Sequence, residues 1–107
     1  MKRGAIYWVD FEPARGGEIR KRRPAVVVSN DESNYALNRV QVVPVTSNVT
    51  RMYSWEAPVQ VDGRACKALA DQIRTVTKER LLRYVGDVTL AELRGIERAI
   101  KLQLALI

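Results

Sequence analysis

Short aromatic and β-branched runs, parted by breaks rich in glycine, proline and charge, repeat along most of the chain, the pattern of a β-rich domain. "GAIYWVDF" (Gly4–Phe11) is the first run and predicts a strand. "EPARGGEIRKRR" (Glu12–Arg23) follows; it is too long for a tight hairpin and predicts an exposed loop of the kind that carries function. Pro24–Ser29 reads as a second strand, and the polar "NDESNYALN" as a connection with room for one helical turn. Val40–Val45 is a third strand, in which Pro44 points to an edge position or a bulge. Alternation of Trp55, Ala57, Val59 and Val61 predicts a fourth strand in "SWEAPVQV", closed by a hairpin-type turn at Asp62-Gly63. Ala65–Val76 continues as strand, or strand plus bulge. Thr77–Arg83 reads as a short helix capped by Thr77, and Arg83–Val88 as the last strand.

At the end of the chain the period changes. "TLAE" is a capping box, Thr89 with Glu92 three residues on, and it opens a helix running toward Ile107. Leu93, Ile96, Ile100, Leu104 and Ile107 form one apolar stripe, with Arg94, Glu97, Arg98 and Lys101 on the wet face. Leu102 and Leu106 widen the apolar sector beyond what one sheet face buries, which hints at a second neighbour such as another subunit. With no internal repeat, low-complexity tract or linker, residues 1–107 read as a single domain, mainly antiparallel β with a C-terminal helix.

Charge then narrows the choice of partner. Lys and Arg number 18 against 12 Asp and Glu, a formal charge of +6, which favours nucleic acid first and an acidic protein second. The lone Cys66 leaves no internal disulfide and fits a reducing cytoplasm. No apolar stretch is long enough to span a bilayer, and "MKRGAIYWVDFEP" reaches an acid too soon for a signal peptide, so no membrane role is expected. Histidine is absent. One cysteine and no histidine argue against a zinc or other transition-metal site, and any acid–base chemistry must work without imidazole.

Three segments are candidates for chemistry. In the basic run, Arg22 and Arg23 directly precede Pro24, so Arg23 is anchored where the loop becomes rigid and can offer its fork to a phosphate. Arg20 and Lys21, further out, supply general attraction, although charge runs are often only solvated loops. Glu18 is either a local ion-pair partner or a carboxylate for a proton or a base edge. In "VPVTSN", Thr46, Ser47 and Asn48 read as a turn or as donors to phosphate and ribose; without histidine they form no nucleophilic triad. In "LADQIR", Asp71 and Gln72 suit base edges and Arg74 suits phosphate, or the three form a structural hydrogen-bond cluster. Gly16-Gly17 lacks the context of a phosphate loop. Trp8 and Trp55 could stack bases, but tryptophan in a strand more often belongs to a core.

Taken in order, "RGAIYWVDFEPARGGE", "RPAVVVSND", "VVPVTSN", "LADQIRT" and the C-terminal helix resemble the MazF (PemK, Kid) family of bacterial toxin endoribonucleases. The resemblance implies a small SH3-like antiparallel β-barrel with a C-terminal α-helix, paired as a homodimer. It implies a cytoplasmic enzyme that cuts single-stranded RNA at short sequences by 2′-hydroxyl attack, without a metal or other cofactor. The implied inhibitor is a cognate antitoxin with an acidic C-terminal segment. The Arg of the family's Arg-Pro motif is Arg23 and the Thr of its Pro-x-Thr motif is Thr46, the two implied catalytic positions. One branch of the family carries a His in the first loop and an Arg two residues before the Asp of its Asp-Gln motif. Here those places hold Gly17 and Leu69, so that branch's proton-transfer scheme does not carry over whole, although Asp71 is retained. Two rivals share the fold and the charge. One is a nucleic-acid-binding barrel without catalysis, which the joint presence of Arg23 and Thr46 argues against. The other is a gyrase-poison toxin, which works mainly through terminal aromatics that the ending "LQLALI" lacks.

Overall fold

A computed structural model describes residues 1–106. Seven strands form one curled antiparallel sheet, a half-barrel: β1 (Ala5–Asp10), β2 (Arg22–Val27), β3 (Arg39–Thr46), β4 (Glu56–Val61), β5 (Arg64–Leu69), β6 (Arg74–Thr77) and β7 (Leu81–Asp87). Two helices join them, α1 (Asp31–Ala36) and α2 (Leu90–Gln103). The strand order is β4-β5-β3-β2-β1-β7, with β6 also paired to β3. This bears out the mainly β architecture with a C-terminal helix.

The second strand lacks the alternation of a half-wet sheet because both of its faces are covered. Val26 packs with Ile6, Val43, Val45 and Ile96 in a core roofed by α2. Ala25 and Val27 point the other way, against Phe11, Val40, Val42 and Val76. Hence "AVV" is fully buried and apolar throughout.

Pro44 is not on an edge. It is buried in β3, which pairs with β2 on one side and with β6 and then β5 on the other. The β6 ladder ends at Val42 and the β5 ladder begins at Val45, so the proline falls in the gap between two partners. Its missing N–H therefore interrupts neither of those ladders.

Several boundaries differ from the sequence expectation. Arg22 and Arg23 already belong to β2, because they pair with Asp10 and Val9 of β1. The fourth strand begins at Glu56 rather than Ser54, leaving Trp55 in the preceding turn; Ala57, Val59 and Val61 are buried as the alternation predicts. Asp62 and Gly63 have φ of 52° and 75°, the left-handed pair that a tight hairpin turn requires. Ala65–Val76 is broken by a 3-10 turn at Ala70–Gln72. Thr77 caps no α-helix: Lys78–Arg80 is a single 3-10 turn, and its successor Leu81 starts β7 by pairing with Val9.

The capping box at Thr89 forms in full, with Thr89 Oγ1 accepting from Glu92 N–H and Glu92 accepting from Thr89 N–H. Ile96 and Ala99 are buried, and Leu93 and Ile100 are half-buried. Leu104 is instead 48% exposed, because the core beneath α2 is built on Ile96, Ala99 and Ile100 and ends before it; Ile107 lies outside the described residues. On the wet face Glu97 pairs with Arg3 at 2.8 Å. The helix stops in a two-bond cap, Leu106 N–H to Lys101 O and Ala105 N–H to Leu102 O, which holds Ala105 at φ 55°. Glycine reaches that conformation without the Cβ clash alanine suffers. We expect Ala105→Gly to stabilise this cap by about 1 kcal/mol, seen as slower amide exchange at Leu106 with little change elsewhere.

Candidate active site

The β2–β3 register sets Ala25 opposite Pro44. Continued two residues along, it brings Arg23 level with Thr46, and Thr46 is in turn paired with Lys67 of β5. Alternation then puts Arg23, Thr46 and Lys67 on one face, and Arg22, Pro24, Val45 and Ser47 on the other. Arg22 and Arg23, neighbours in the basic run, leave β2 on opposite sides, yet both reach the cleft at the strand end.

On the first face, Arg23 is half-buried and its Nε donates to Arg20 O at 3.3 Å, a weak bond that ties the strand start to the loop. Thr46 ends β3, half-buried, and its Oγ1 accepts from Asn48 N–H at 3.2 Å. Asn48 Oδ1 accepts from Thr50 N–H, so the segment after Thr46 turns through two side-chain-to-backbone bonds. Arg74 is half-buried, with its guanidinium 5.6 Å from the Phe11 ring centre.

A cleft of about 300 Å³ opens at this strand end, lined by Trp8, Arg22, Arg23, Ser47, Arg64 and Cys66 among others. Trp8 Nε1 is buried there without a hydrogen-bond partner. Trp8 is therefore a wall of this cleft rather than simple core. Arg64 was missed by sequence reasoning; its signal was its place just after Asp62-Gly63, where a hairpin returns a side chain beside the strand already expected to carry Thr46. Lys67 was missed because it sits inside the apolar run "ACKALA", which gives no hint of its register.

The first loop is held rather than loose. Gln72 accepts from Ile19 N–H at 3.1 Å and donates to Gly17 O at 3.0 Å, so its amide clamps the loop to the 3-10 turn. Glu12 accepts from Lys21 N–H at 2.8 Å, and Lys21 itself sits at φ 68°. Glu18 is exposed and accepts from Arg15 N–H at 2.7 Å; it makes no ion pair. Asp71 is exposed on the 3-10 turn beside Gln72. Arg20 reaches only Ala14 O, at 3.4 Å. Among the described residues the ion pairs are Arg3–Glu97 and Lys67–Glu56, so Arg20, Lys21, Arg22, Arg23 and Arg74 are all without a carboxylate partner. Among the same residues no three His, Cys, Asp or Glu side chains converge as metal ligands.

A curled antiparallel β sheet closed by a C-terminal helix, with arginines free of carboxylate partners among the described residues, defines a class: small basic half-barrel domains. The family follows from comparison. Residues 2–104 match the model of the PemK-like, MazF-like toxins of type II toxin–antitoxin systems, and the chain belongs to that family. It is 47% identical to Endoribonuclease MazF9 of Mycobacterium tuberculosis, over 99% of this chain and 98% of that protein. A solved mycobacterial endoribonuclease in complex with its cognate antitoxin superposes with a TM-score of 0.84 at 26% identity, covering 100% of this chain and 97% of that one. MazF from Deinococcus radiodurans gives 0.85 at 26% identity, over 98% and 96% of the two chains.

The clamp makes its own prediction. Removing it with Gln72→Ala leaves the Ile19 N–H without its acceptor and should raise amide exchange at Ile19 about tenfold. Global stability should fall by no more than about 1.5 kcal/mol, read from urea unfolding.

Proposed function

We propose that this toxin is a sequence-specific endoribonuclease that cuts single-stranded RNA without a metal and so stops translation and growth. What supports the reading is the β2–β3 register, whose last pair Ala25–Pro44, continued along both strands, sets Arg23 level with Thr46 amid cations without a carboxylate partner among the described residues. RNA brings its own nucleophile. The 2′-oxygen forms a bond to phosphorus, the P–O5′ bond breaks, and the ends carry a cyclic phosphate and a 5′-hydroxyl. The protein must then align the attack and offset the charge that gathers on the phosphate oxygens. Arg23 donates its N–H fork to those oxygens and protonates or hydrogen-bonds the departing 5′-oxygen; Thr46 fixes the phosphate's orientation. Glu18 or water accepts the 2′-proton. Arg20, Lys21 and Arg22 draw the strand in, with Ser47, Asn48, Asp71, Gln72 and Arg74 near its bases and phosphates. Gln72 acts there mainly by holding the loop, since both ends of its amide are engaged.

The same positive end suits the acidic C-terminal segment of a cognate antitoxin, which would silence the enzyme by competing for it. A homodimer is supported by α2, whose Leu102, Leu104 and Leu106 remain 48–65% exposed. A cytoplasmic setting is consistent with an RNA substrate and with the unpaired Cys66; among the described residues no helix is long and apolar enough to cross a membrane.

On a long RNA in EDTA, the wild-type chain should cut at a short recurring sequence. Arg23→Ala should slow cleavage by about 100- to 1,000-fold, the usual scale for one lost electrostatic donor. Thr46→Ala should slow it by about 10- to 150-fold, as for a hydrogen bond to a charged group. An Arg23→Ala rate within threefold of wild type would overturn the assignment. Binding should weaken with salt, and Arg22→Ala should flatten the log–log slope by about 0.7, as for one phosphate contact to a single strand.

A further inference from the structure

The Lys67–Glu56 ion pair is buried almost completely, with the two side chains 10% and 6% exposed and 2.9 Å apart. Such a pair is weak evidence for stability, because desolvation offsets most of the attraction. Its geometry shows what else it does. Lys67 Nζ also donates to Arg51 O, and Glu56 Oε1 also accepts from Tyr53 N–H at 2.9 Å. Both partners grip the backbone of the same short segment from beneath. That segment carries Tyr53, whose ring lies on Trp55 with centroids 4.7 Å apart and planes within 6°. Arg51 Nη1 donates to the Tyr53 hydroxyl at 2.9 Å, and the Arg51 and Lys67 cations lie 5.8 and 5.9 Å from the ring centre. A tyrosine so braced nevertheless keeps 39% of its surface in solvent. Lys67 is the register partner of Thr46, so the side chain that braces the ring springs from the position beside the end of β3.

We propose that Tyr53, backed by Trp55 and braced by Lys67–Glu56, is a stacking subsite for one nucleobase next to the cut phosphate. This rests on the ribonuclease reading above and adds a base position to it. Single-stranded RNA is recognised by stacking unpaired bases on aromatic faces beside a cationic track. Tyr53 has both features, with the exposed Arg51 supplying the charge while that of Lys67 is matched by Glu56. The ordering cost is already met by the buried bonds, so the ring is preorganised for its ligand. An acidic peptide would be drawn by the same arginine but has no use for a flat ring backed by Trp55, so RNA is the better fit.

The test uses a short RNA bearing one mapped cut site, and the same RNA made abasic at each of three nucleotides on either side. For the wild-type chain one abasic position should raise KM by roughly 5- to 150-fold, the measured range for losing one base–aromatic stack. Tyr53→Ala should show that same loss on intact RNA and no further loss on that abasic RNA, while kcat changes much less. Tyr53→Phe should recover most of the loss. Tyr53→Leu, which keeps apolar bulk without a flat face, should not recover it. Losses that multiply, no sensitive abasic position, or a Tyr53→Ala KM within twofold of wild type would each overturn the subsite while leaving the nuclease intact. A wild-type chain that cuts no RNA would overturn both. Unaltered RNA kinetics with weakened binding of an acidic antitoxin peptide would reassign the platform to protein recognition.

Discussion

β3 has hydrogen-bonding partners along both of its edges, and everything at the site depends on that. β2 covers one edge, and β6 and then β5 share the other. A central strand cannot normally contain proline, since each missing N–H leaves a neighbour's carbonyl without its donor. The change of partner between Val42 and Val45 resolves the conflict. It also turns the sheet, because the β5–β4 hairpin leaves β3 where the β6 ladder has stopped. Thr46 is thereby delivered to a strand end flanked by Arg23 and Lys67, with the valines of β3 buried behind it.

That rigidity is what permits so much unbalanced charge. Arg20, Lys21, Arg22 and Arg23 repel one another, and no ion pair among the described residues relieves them. The chain tolerates the repulsion because Arg22 and Arg23 are held in β2 by their pairing with β1 and the loop is clamped by Gln72 and Glu12. Electrostatic preorganisation of this kind is the useful state for a phosphate ligand, since little reorganisation is left to do when charge develops. The nearby carboxylates bind backbone instead of the cluster's cations: Glu18 accepts from Arg15 N–H, Glu12 from Lys21 N–H, and Glu56 from Tyr53 N–H.

The molecule carries other surfaces that its own fold leaves unmet. Leu102, Leu104 and Leu106 project past the core on which α2 packs. Trp8, whose buried N–H has no partner, lines the cleft at the strand end. Membership of a toxin–antitoxin family gives such features a context, because a toxin must present one surface to its target and accept another chain as its inhibitor.

Much of this was legible in the sequence by itself. Local rules sufficed for the capping box of α2, the Asp62-Gly63 hairpin, the buried valine run of β2 and the excess positive charge, because each depends on residues within one turn or one strand. The family was legible too, from four motifs in order. Register was not. Whether Pro44 lies at an edge, which face Arg22 shares, and what stands opposite Thr46 are decided by strand pairing between distant segments, and a one-residue shift reverses every side chain. Trp55 obeys the alternation of β4 yet leaves the strand to stack on Tyr53, and Lys67 hides in an apolar run because its partner Glu56 comes from another strand. Sequence determined the elements and the charge; tertiary pairing alone decided which side chains meet, since contacts across a sheet are set by register and not by distance along the chain.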